Sequence, residues 1–187
     1  RRSQTRSNRD KNQLLSATLV GYTCAGKSTL FNRLTKSKVI ESTKPFSTLT
    51  PTTRRTYLSN DIEILLTDAV GFISDLPDDL ISSFRATLEE INESDILIHV
   101  VDASDTDLEN KILSVEEALL KTKLINHPRI LVFNKIDLLA PYQRKMLDIQ
   151  YRQPMVSSLN SSGIPDLRKF IEQFISANST KNQIANI

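Results

Sequence analysis

Short apolar runs alternate along the chain with longer stretches of helical period. The runs at 16–21, 96–102, 129–137 and 153–158 are rich in aliphatic and β-branched residues, as buried strands are. Helical sequence follows each of these runs. Strands that alternate with helices in this way predict a mostly parallel sheet with helices on both faces.

One pair of strands breaks this alternation. TYLS (56–59) and IEILLTD (62–68) flank Asn60-Asp61, a pair typical of tight turns, and so predict an antiparallel hairpin. We therefore expect an α/β fold of three layers, with a six-stranded sheet in which one strand is antiparallel. The predicted helices are placed at 27–36, 77–91, 105–123 and 165–176.

The composition is that of one ordinary globular domain. The chain has 187 residues, of which 39% are hydrophobic and 25% charged, and it contains one cysteine. A single cysteine cannot form an intramolecular disulfide, which favours a reducing compartment: the cytoplasm, or an organelle in a eukaryote. No apolar run approaches the roughly 18–20 residues that span a bilayer. We expect a monomer without stable membrane insertion.

The charge is unevenly distributed and suggests three segments. A basic tail covers 1–13, a folded domain 14–177 and a polar tail 178–187. Five basic residues crowd the first eleven positions against a single Asp10. Two interpretations of the basic tail stay open: a solvated segment, or a contact with phosphate-rich RNA.

The most specific motif is GYTCAGKST (21–29), which lies between a predicted strand and a predicted helix. Gly21 and Gly26 frame the pattern G-x-x-x-x-G-K-S, a phosphate-binding loop in that context. Backbone N–H groups of 24–29 can cradle phosphates at the positive end of the helix. In this arrangement Lys27 reaches the outer phosphates and the Ser28 hydroxyl binds Mg²⁺.

A second motif, DAVG (68–71), directly follows a predicted strand. Asp68 can hold Mg²⁺, usually through water, and Gly71 can offer its N–H to a terminal phosphate. In isolation D-x-x-G is more typical of a turn. After a phosphate loop and a hairpin, it is a credible second half of a magnesium site.

The third motif, NKID (134–137), indicates which base is bound. The Asp137 carboxylate can accept two hydrogen bonds from guanine, whereas adenine has no such donor pair, so an Asp here selects GTP. Asn134 can brace the phosphate loop, and the Lys135 stem can lie across the base. In the later segment VSSLNSSG (156–163), the N–H of Ser158 or Leu159 could meet the guanine carbonyl; the alternative is an ordinary serine-rich loop.

These motifs together resemble the HflX ribosome-associated GTPases. The resemblance rests on GYTCAGKSTLFNRL, FSTLTPTTRR, DAVGFISDLPDDLISSFRATLEEINESDILIHVVD and NKID. It implies a P-loop GTPase fold, GTP hydrolysis, and binding to the large ribosomal subunit in rescue or assembly. It also implies that Thr48, in the family's F-x-T-L-x-P pattern, completes the Mg²⁺ site. Composition alone does not choose among the Ser and Thr residues of 45–55.

The resemblance also implies two regions of the full-length family members that are not recognised in this sequence. Full-length members carry an N-terminal domain and a helical linker that contact the ribosome, and residues 1–13 are expected to be the end of that linker. Two positions depart from the family pattern: Cys24 stands where Asn is usual, and Ala69 where Thr is usual.

The expected site has three groups of residues. The catalytic groups are Lys27, Thr48 and Gly71, and the Mg²⁺ ligands are Ser28, Thr48 and, through water, Asp68. The residues expected to bind GTP are Gly21, Tyr22, Thr23, Cys24, Ala25, Gly26, Lys27, Ser28, Thr29, Phe46, Ser47, Thr48, Leu49, Thr50, Asp68, Ala69, Val70, Gly71, Asn134, Lys135, Ile136, Asp137, Ser157, Ser158 and Leu159.

Two rival functions stay open on the sequence alone. One is a GTP-dependent binding switch with negligible hydrolysis of its own. The other is an Era- or Obg-like GTPase that acts in ribosome assembly.

His99 is one of two histidines in the chain and could be considered as a catalytic group. Because it lies in a predicted strand, we expect it to be packed there rather than catalytic.

Overall fold

The structure, a computed structural model, describes residues 14–36, 51–58, 62–69, 91–122 and 124–184. Within these residues five strands form one sheet, in the order β2-β3-β1-β4-β5. The strands are β1 (Leu15–Val20), β2 (Thr52–Tyr57), β3 (Glu63–Asp68), β4 (Ile96–Asp102) and β5 (Arg129–Asn134). The helices are α1 (Lys27–Thr35), α2 (Leu108–Lys121), α3 (Pro141–Tyr151) and α4 (Ile164–Ile184), with a short 3₁₀ helix at Ile136–Leu138.

The pairing of the strands confirms the expected topology. β1 lies between β3 and β4 and is parallel to both, and β5 is parallel to β4. β2 is antiparallel to β3 and lies at the edge of the sheet. The carboxyl ends of the four parallel strands therefore share one edge of the sheet, where ligands bind in folds of this kind.

The prediction of a sixth strand at 153–158 is wrong for the described residues. Only Met155 forms a bridge, to Phe133. The Phe133 N–H donates to the Pro154 carbonyl at 2.9 Å, and the Val156 N–H donates to the Phe133 carbonyl at 2.7 Å. Pro154 has no N–H for a ladder. The Ser158 N–H turns instead to the Asn134 side chain, so the pairing ends there.

β2 is longer than its apolar pattern suggests. We expected a strand at 56–59, but it runs over Thr52–Tyr57. Arg54 and Arg55 are exposed and Thr56 is buried, so most of this edge strand carries no hydrophobic signal. The turn at Asn60-Asp61 lies outside the described residues.

Helices cover both faces of the sheet, as predicted. On one face, α1 and α4 pack their apolar residues against β1, β3, β4 and β5 in a single cluster. On the other face, α2 packs against β4, while α3 contributes Leu147 and Tyr151 to a third cluster. The predicted helix at 77–91 lies outside the described residues except for its last residue.

Two helices differ in length from their predictions. α4 was expected over 165–176 and runs from Ile164 to Ile184, so the polar residues after 177 continue the helix. α2 was expected over 105–123 and is shorter, Leu108–Lys121. In the described part of the chain, no helix combines the length and the apolar character that crossing a membrane requires.

Candidate nucleotide-binding site

The phosphate loop joins β1 to α1 and is shaped by its two glycines. Gly21 has φ of 150° and Gly26 has φ of 86°. A Cβ on Gly21 would lie 2.2 Å from the Val100 carbonyl oxygen, and one on Gly26 would lie 2.4 Å from Asn134 Nδ2. The loop therefore lies so close to β4 and to the NKID segment that only glycine fits at these positions.

The first turn of α1 is open to an anion. No side chain caps the helix, and its first turn contains no acidic residue. The first N–H groups of a helix have no partner within the helix and form the positive end of its dipole. The end of α1 at Lys27 thus offers backbone donors and partial positive charge to a phosphate group.

Lys27 is a buried cation held inside the loop. Its side chain donates from Nζ to the Gly21 carbonyl at 3.1 Å and to the Tyr22 carbonyl at 2.9 Å. Burial lowers the pKa of Lys27 to about 8, although the negative charge of Asp68 opposes this shift. A lysine with this pKa is mostly protonated at neutral pH and suits the binding of anionic phosphates.

Ser28 and Asp68 bring two hard oxygen donors together. The Ser28 hydroxyl donates to Asp68 Oδ2 at 2.7 Å, and Asp68 is fully buried at the end of β3. A hydroxyl and a carboxylate are ligands that Mg²⁺ prefers. The pair therefore fits the predicted metal: the Ser28 hydroxyl would hold Mg²⁺ directly, and Asp68 would hold it through water.

Seven predicted site residues belong to segments outside the described part of the structure. The threonine expected to complete the magnesium site and the glycine expected at the terminal phosphate lie outside the described residues, as do some of their neighbours. These residues are Phe46, Ser47, Thr48, Leu49, Thr50, Val70 and Gly71. Ala69, which departs from the family pattern, is fully buried directly after Asp68.

Asn134 connects the phosphate loop to the segment 157–163. Its Nδ2 donates to the Ala25 carbonyl at 3.0 Å and more weakly to the Gly26 carbonyl at 3.4 Å. Its Oδ1 accepts from the Ser158 N–H at 3.0 Å and from the Ser158 hydroxyl at 2.9 Å. The predicted bracing of the loop is therefore present, and the same amide also fixes Ser158.

Asp137 carries a buried oxygen that lacks a partner. Its Oδ1 makes no hydrogen bond within the described part of the chain and is shielded from solvent. A buried polar atom without a partner is unfavourable, and it suits a ligand that supplies a donor. Nearby, Lys135 donates from Nζ to Asp102 Oδ2 at 2.6 Å, which fixes the direction of its stem. Ile136 is buried in the core and anchors this segment.

The segment 157–163 is closed by its own hydrogen bonds. The Ser157 N–H donates to the Ser162 carbonyl at 2.9 Å, and the Asn160 N–H donates to the Ser157 hydroxyl at 3.3 Å. Ser157 and Ser158 are buried, whereas Leu159 is 71% exposed. The segment is therefore an ordered loop that presents Leu159 at its tip, beside the NKID segment.

The remaining loop residues have mixed exposure. Cys24 is exposed and adopts φ of 63°, a left-handed conformation that is uncommon outside glycine. Tyr22, Thr23 and Thr29 are half-buried and Ala25 is buried. Cys24 therefore sits on the outer side of the loop, where its side chain reaches solvent.

Sequence reasoning missed two groups of contacts around the site. Arg33 of α1 donates to the carbonyls of Ser158 and Leu159 at 2.7 and 2.6 Å. Lys111 of α2 pairs with Asp105 and lies 5.2 Å from the centroid of the Tyr22 ring. No sequence motif connects these residues with their partners. The only feature of the sequence that could have suggested the contacts is a basic residue on a predicted helix.

His99 is a packed residue in β4, as expected. It is 2% exposed, and burial together with the charges of Arg129 and Lys27 lowers the pKa of His99 to about 3. The imidazole is therefore neutral at physiological pH.

Comparison with known proteins points to one family. A sequence model described as "50S ribosome-binding GTPase" matches residues 16–135. The GTPase HflX of Caldanaerobacter subterraneus subsp. tengcongensis is 42% identical over 172 residues, which are 92% of this chain and 39% of that relative. The chain thus spans about two fifths of the length of this curated relative.

Solved structures share the fold. A GTP-binding protein from the hyperthermophilic archaeon Sulfolobus solfataricus, solved with GDP, has a TM-score of 0.67 and 25% identity, covering 94% of this chain and 57% of its own. Era of Aquifex aeolicus, solved with GDP and AlF₄⁻, has a TM-score of 0.69 at 24% identity, covering 85% of this chain and 56% of its own. The second likeness concerns the fold alone. On the family match and the relatives together, the chain belongs to the 50S ribosome-binding GTPases, and within them to the HflX group.

Proposed function

We propose that the chain binds GTP with Mg²⁺ and hydrolyses it to GDP and phosphate, as the G domain of an HflX-type protein that associates with the large ribosomal subunit. One observation carries this proposal. The buried, unpartnered Oδ1 of Asp137 lies three residues from Asn134, whose amide holds the phosphate loop. The acceptor proposed to bind the base and the loop proposed to bind the phosphates therefore belong to one site.

On the base side, Asp137 accepts hydrogen bonds from guanine N1–H and from the exocyclic amine. The guanine carbonyl is assigned to the Leu159 N–H, because the Ser158 N–H already donates to Asn134 Oδ1. The Lys135 stem, directed by the ion pair of its ammonium with Asp102, lies across the base. Ile136 and Ser157 complete this side of the site from the core.

On the phosphate side, the loop amides of 24–29 and Lys27 bind the β- and γ-phosphates. For this, Lys27 exchanges its hydrogen bonds to the loop carbonyls for phosphate oxygens. Ser28, Thr48 and, through water, Asp68 would hold Mg²⁺, which would neutralise negative charge on the phosphates. The Gly71 N–H meets the γ-phosphate.

The proposed reaction is the attack of water on the γ-phosphorus, which breaks its bond to the β–γ bridging oxygen and releases phosphate. The protein contributes position and positive charge through Lys27 and the loop amides. The residue after DAVG is Phe72, where many GTPases place a glutamine that orients the attacking water. A phenyl ring cannot do this, so we expect slow intrinsic turnover that a partner accelerates.

The setting of this activity is proposed from the resemblance to the HflX relatives. Binding to the large ribosomal subunit is expected mainly through regions that the HflX relatives carry beyond the part matched here. The domain itself is proposed to be a cytoplasmic monomer. The Era-like alternative is supported by the fold alone, whereas the HflX relatives share sequence over most of this chain.

Single-turnover GTP hydrolysis with and without purified large ribosomal subunits tests the proposal. We expect slow hydrolysis by the domain alone and acceleration of about tenfold or more with the subunits, because ordering of a catalytic segment by a partner has large effects in this class. Lys27→Ala serves as the inactive control. If the chain binds GTP but does not hydrolyse it, either alone or with the subunits, the alternative of a GTP-dependent binding switch with negligible hydrolysis is favoured.

A further inference from the structure

Arg33, in the last turn of α1, donates hydrogen bonds to the loop 157–163, which the proposed function places beside the base. Its Nε donates to the Ser158 carbonyl at 2.7 Å, and its Nη2 donates to the Leu159 carbonyl at 2.6 Å. The acceptors belong to successive residues that lie 125 and 126 positions away along the chain. A guanidinium presents its N–H groups as a planar fork, so one side chain can hold both carbonyls at once.

This contact sets the direction of one peptide group. The Ser158 carbonyl and the Leu159 N–H belong to the same peptide group, and a trans peptide is planar, with C=O and N–H pointing in opposite directions. The described residues contain no cis peptide bond. Because Arg33 holds the carbonyl on the side of α1, the Leu159 N–H points away from Arg33.

The neighbouring peptide groups are fixed as well. The Ser158 N–H donates to Asn134 Oδ1 at 3.0 Å, and the Asn160 N–H donates to the Ser157 hydroxyl at 3.3 Å. The peptide group between Ser158 and Leu159 is therefore the one whose direction depends on Arg33. Without the arginine, this group is held only by its connection to the two fixed neighbours.

We propose that Arg33 is a positioning residue for guanine selectivity. By holding the Ser158 carbonyl, it directs the Leu159 N–H to the oxygen at position 6 of the base. This inference rests on the proposed nucleotide site and adds to it a residue that does not itself touch the nucleotide. Since α1 begins at Lys27, the helix that binds the phosphates also sets the orientation of the base loop.

The position of Arg33 makes the idea testable. Arg33 is exposed on α1 and is not part of the hydrophobic core. Hydrogen bonds and charges at such positions contribute little to global stability. Substitution of Arg33 should therefore change recognition of the base without unfolding the domain, and thermal denaturation of each ligand-free variant checks this.

The test compares two nucleotides in calorimetric titrations. GDP has an oxygen at position 6 of the base, whereas 6-thioguanosine diphosphate keeps the N1–H and the amine that Asp137 is proposed to bind and carries at position 6 a sulfur, a much weaker acceptor. We expect Arg33→Ala and Arg33→Lys to weaken GDP binding about five- to tenfold, the value of one hydrogen bond. Because its sulfur accepts only a weak hydrogen bond, binding of the 6-thio nucleotide should stay within about twofold. Arg54→Ala, which removes an exposed arginine bonded to the neighbouring Thr53 carbonyl, should change neither.

Three results would overturn the inference. Equal losses for both nucleotides would mean that Arg33 supports the site in general rather than the contact with the oxygen. Full GDP affinity in Arg33→Lys would mean that the positive charge suffices and the fork is not needed, and full affinity in Arg33→Ala would remove any role. By contrast, unmutated protein that binds ADP as tightly as GDP would refute the proposed function itself.

Discussion

At the scale of single residues, the site places charged groups where water cannot solvate them. The Oδ1 of Asp137 is buried and unpartnered in the described structure, and Lys27 is a cation with 7% exposure. A buried acceptor without a partner is unfavourable in the free protein and becomes favourable when a ligand supplies a donor. The ammonium of Lys27 has hydrogen-bond partners, but burial disfavours its charge, which anionic phosphates would stabilise. Recognition of the base should therefore depend on Asp137, and the pH dependence of binding on Lys27, whose pKa burial lowers.

Asp137→Asn should change the base that the protein prefers. The amide replaces one of the two acceptor oxygens with a donor, so guanine loses one of its two contacts, whereas xanthine offers a carbonyl to the new N–H group. We expect GTP binding to weaken by roughly 2–3 kcal/mol, the value of a charged bidentate contact. Titration with GTP and XTP measures both changes. Asp148→Asn, an exposed substitution on α3, is the control, and unchanged GTP affinity in Asp137→Asn would exclude the assignment.

The affinity for GDP should fall as the pH rises above about 8. The pKa of Lys27 in the free protein is about 8, and phosphates beside the ammonium must raise it in the complex. Between these two pKa values the complex holds a proton that the free protein has lost, so binding takes up a proton and weakens with rising pH. Calorimetry at pH 8.5 in buffers of different ionisation enthalpy measures this uptake. Binding that takes up no proton would show that Lys27 stays charged throughout.

Cys24 should make hydrolysis insensitive to the choice between K⁺ and Na⁺. A thiol is a soft group and a poor ligand for K⁺, whereas the Asn usual at this position offers a hard oxygen. Cys24→Asn should introduce K⁺ stimulation, and it should be well tolerated because Asn accepts the left-handed conformation at φ of 63°. Hydrolysis rates in K⁺ and Na⁺ buffers of equal ionic strength provide the test. Strong K⁺ activation of the unmutated chain would show that other oxygens suffice.

At the scale of elements, the phosphate loop depends on its packing against β4. A Cβ on Gly21 would meet the Val100 carbonyl, which belongs to the backbone of a central strand and cannot move aside. We expect Gly21→Ala to destabilise the domain by about 2–4 kcal/mol through strain and displacement of the loop. Chemical denaturation measures this loss. Ala177→Gly, a change on an exposed position of α4, is a mild control, and an equally mild effect of Gly21→Ala would mean that the loop can shift freely.

The elements also show which parts of the site a sequence can predict. The loop 21–29 and NKID predict their own contacts because each motif requires a defined backbone path, and the bond between Ser28 and Asp68 follows from combining two motifs. Arg33 was not predictable, since its partners are 125 residues away and are backbone carbonyls that carry no residue signature. β2 was predicted too short, because an edge strand with exposed arginines lacks the alternation on which strand prediction depends.

At the scale of the whole molecule, the parallel sheet brings distant motifs to one edge. β1, β3 and β5 end at the phosphate loop, at Asp68 and at Asn134, which lie far apart in the sequence. Asn134 then fixes the phosphate loop and Ser158 with a single amide. The fold could be inferred from its alternating pattern, but the sixth strand was overestimated because Pro154 and the side chain of Asn134 end the pairing at Met155.

The central position of β1 has a consequence for the order in which the molecule folds. β1 is the first strand in the described chain, yet its neighbours come much later: Ala17 pairs with Leu66 and with Ile96. During synthesis β1 stays unpaired until roughly 50 further residues have been made, when β3 is available, and its second neighbour β4 follows after roughly 80, at about 5–20 residues per second. Closing such long loops precedes any gain from pairing and slows folding. The phosphate loop, which rests on Val100, can take its final shape only after that, so nucleotide binding reports completion of the sheet rather than its beginning.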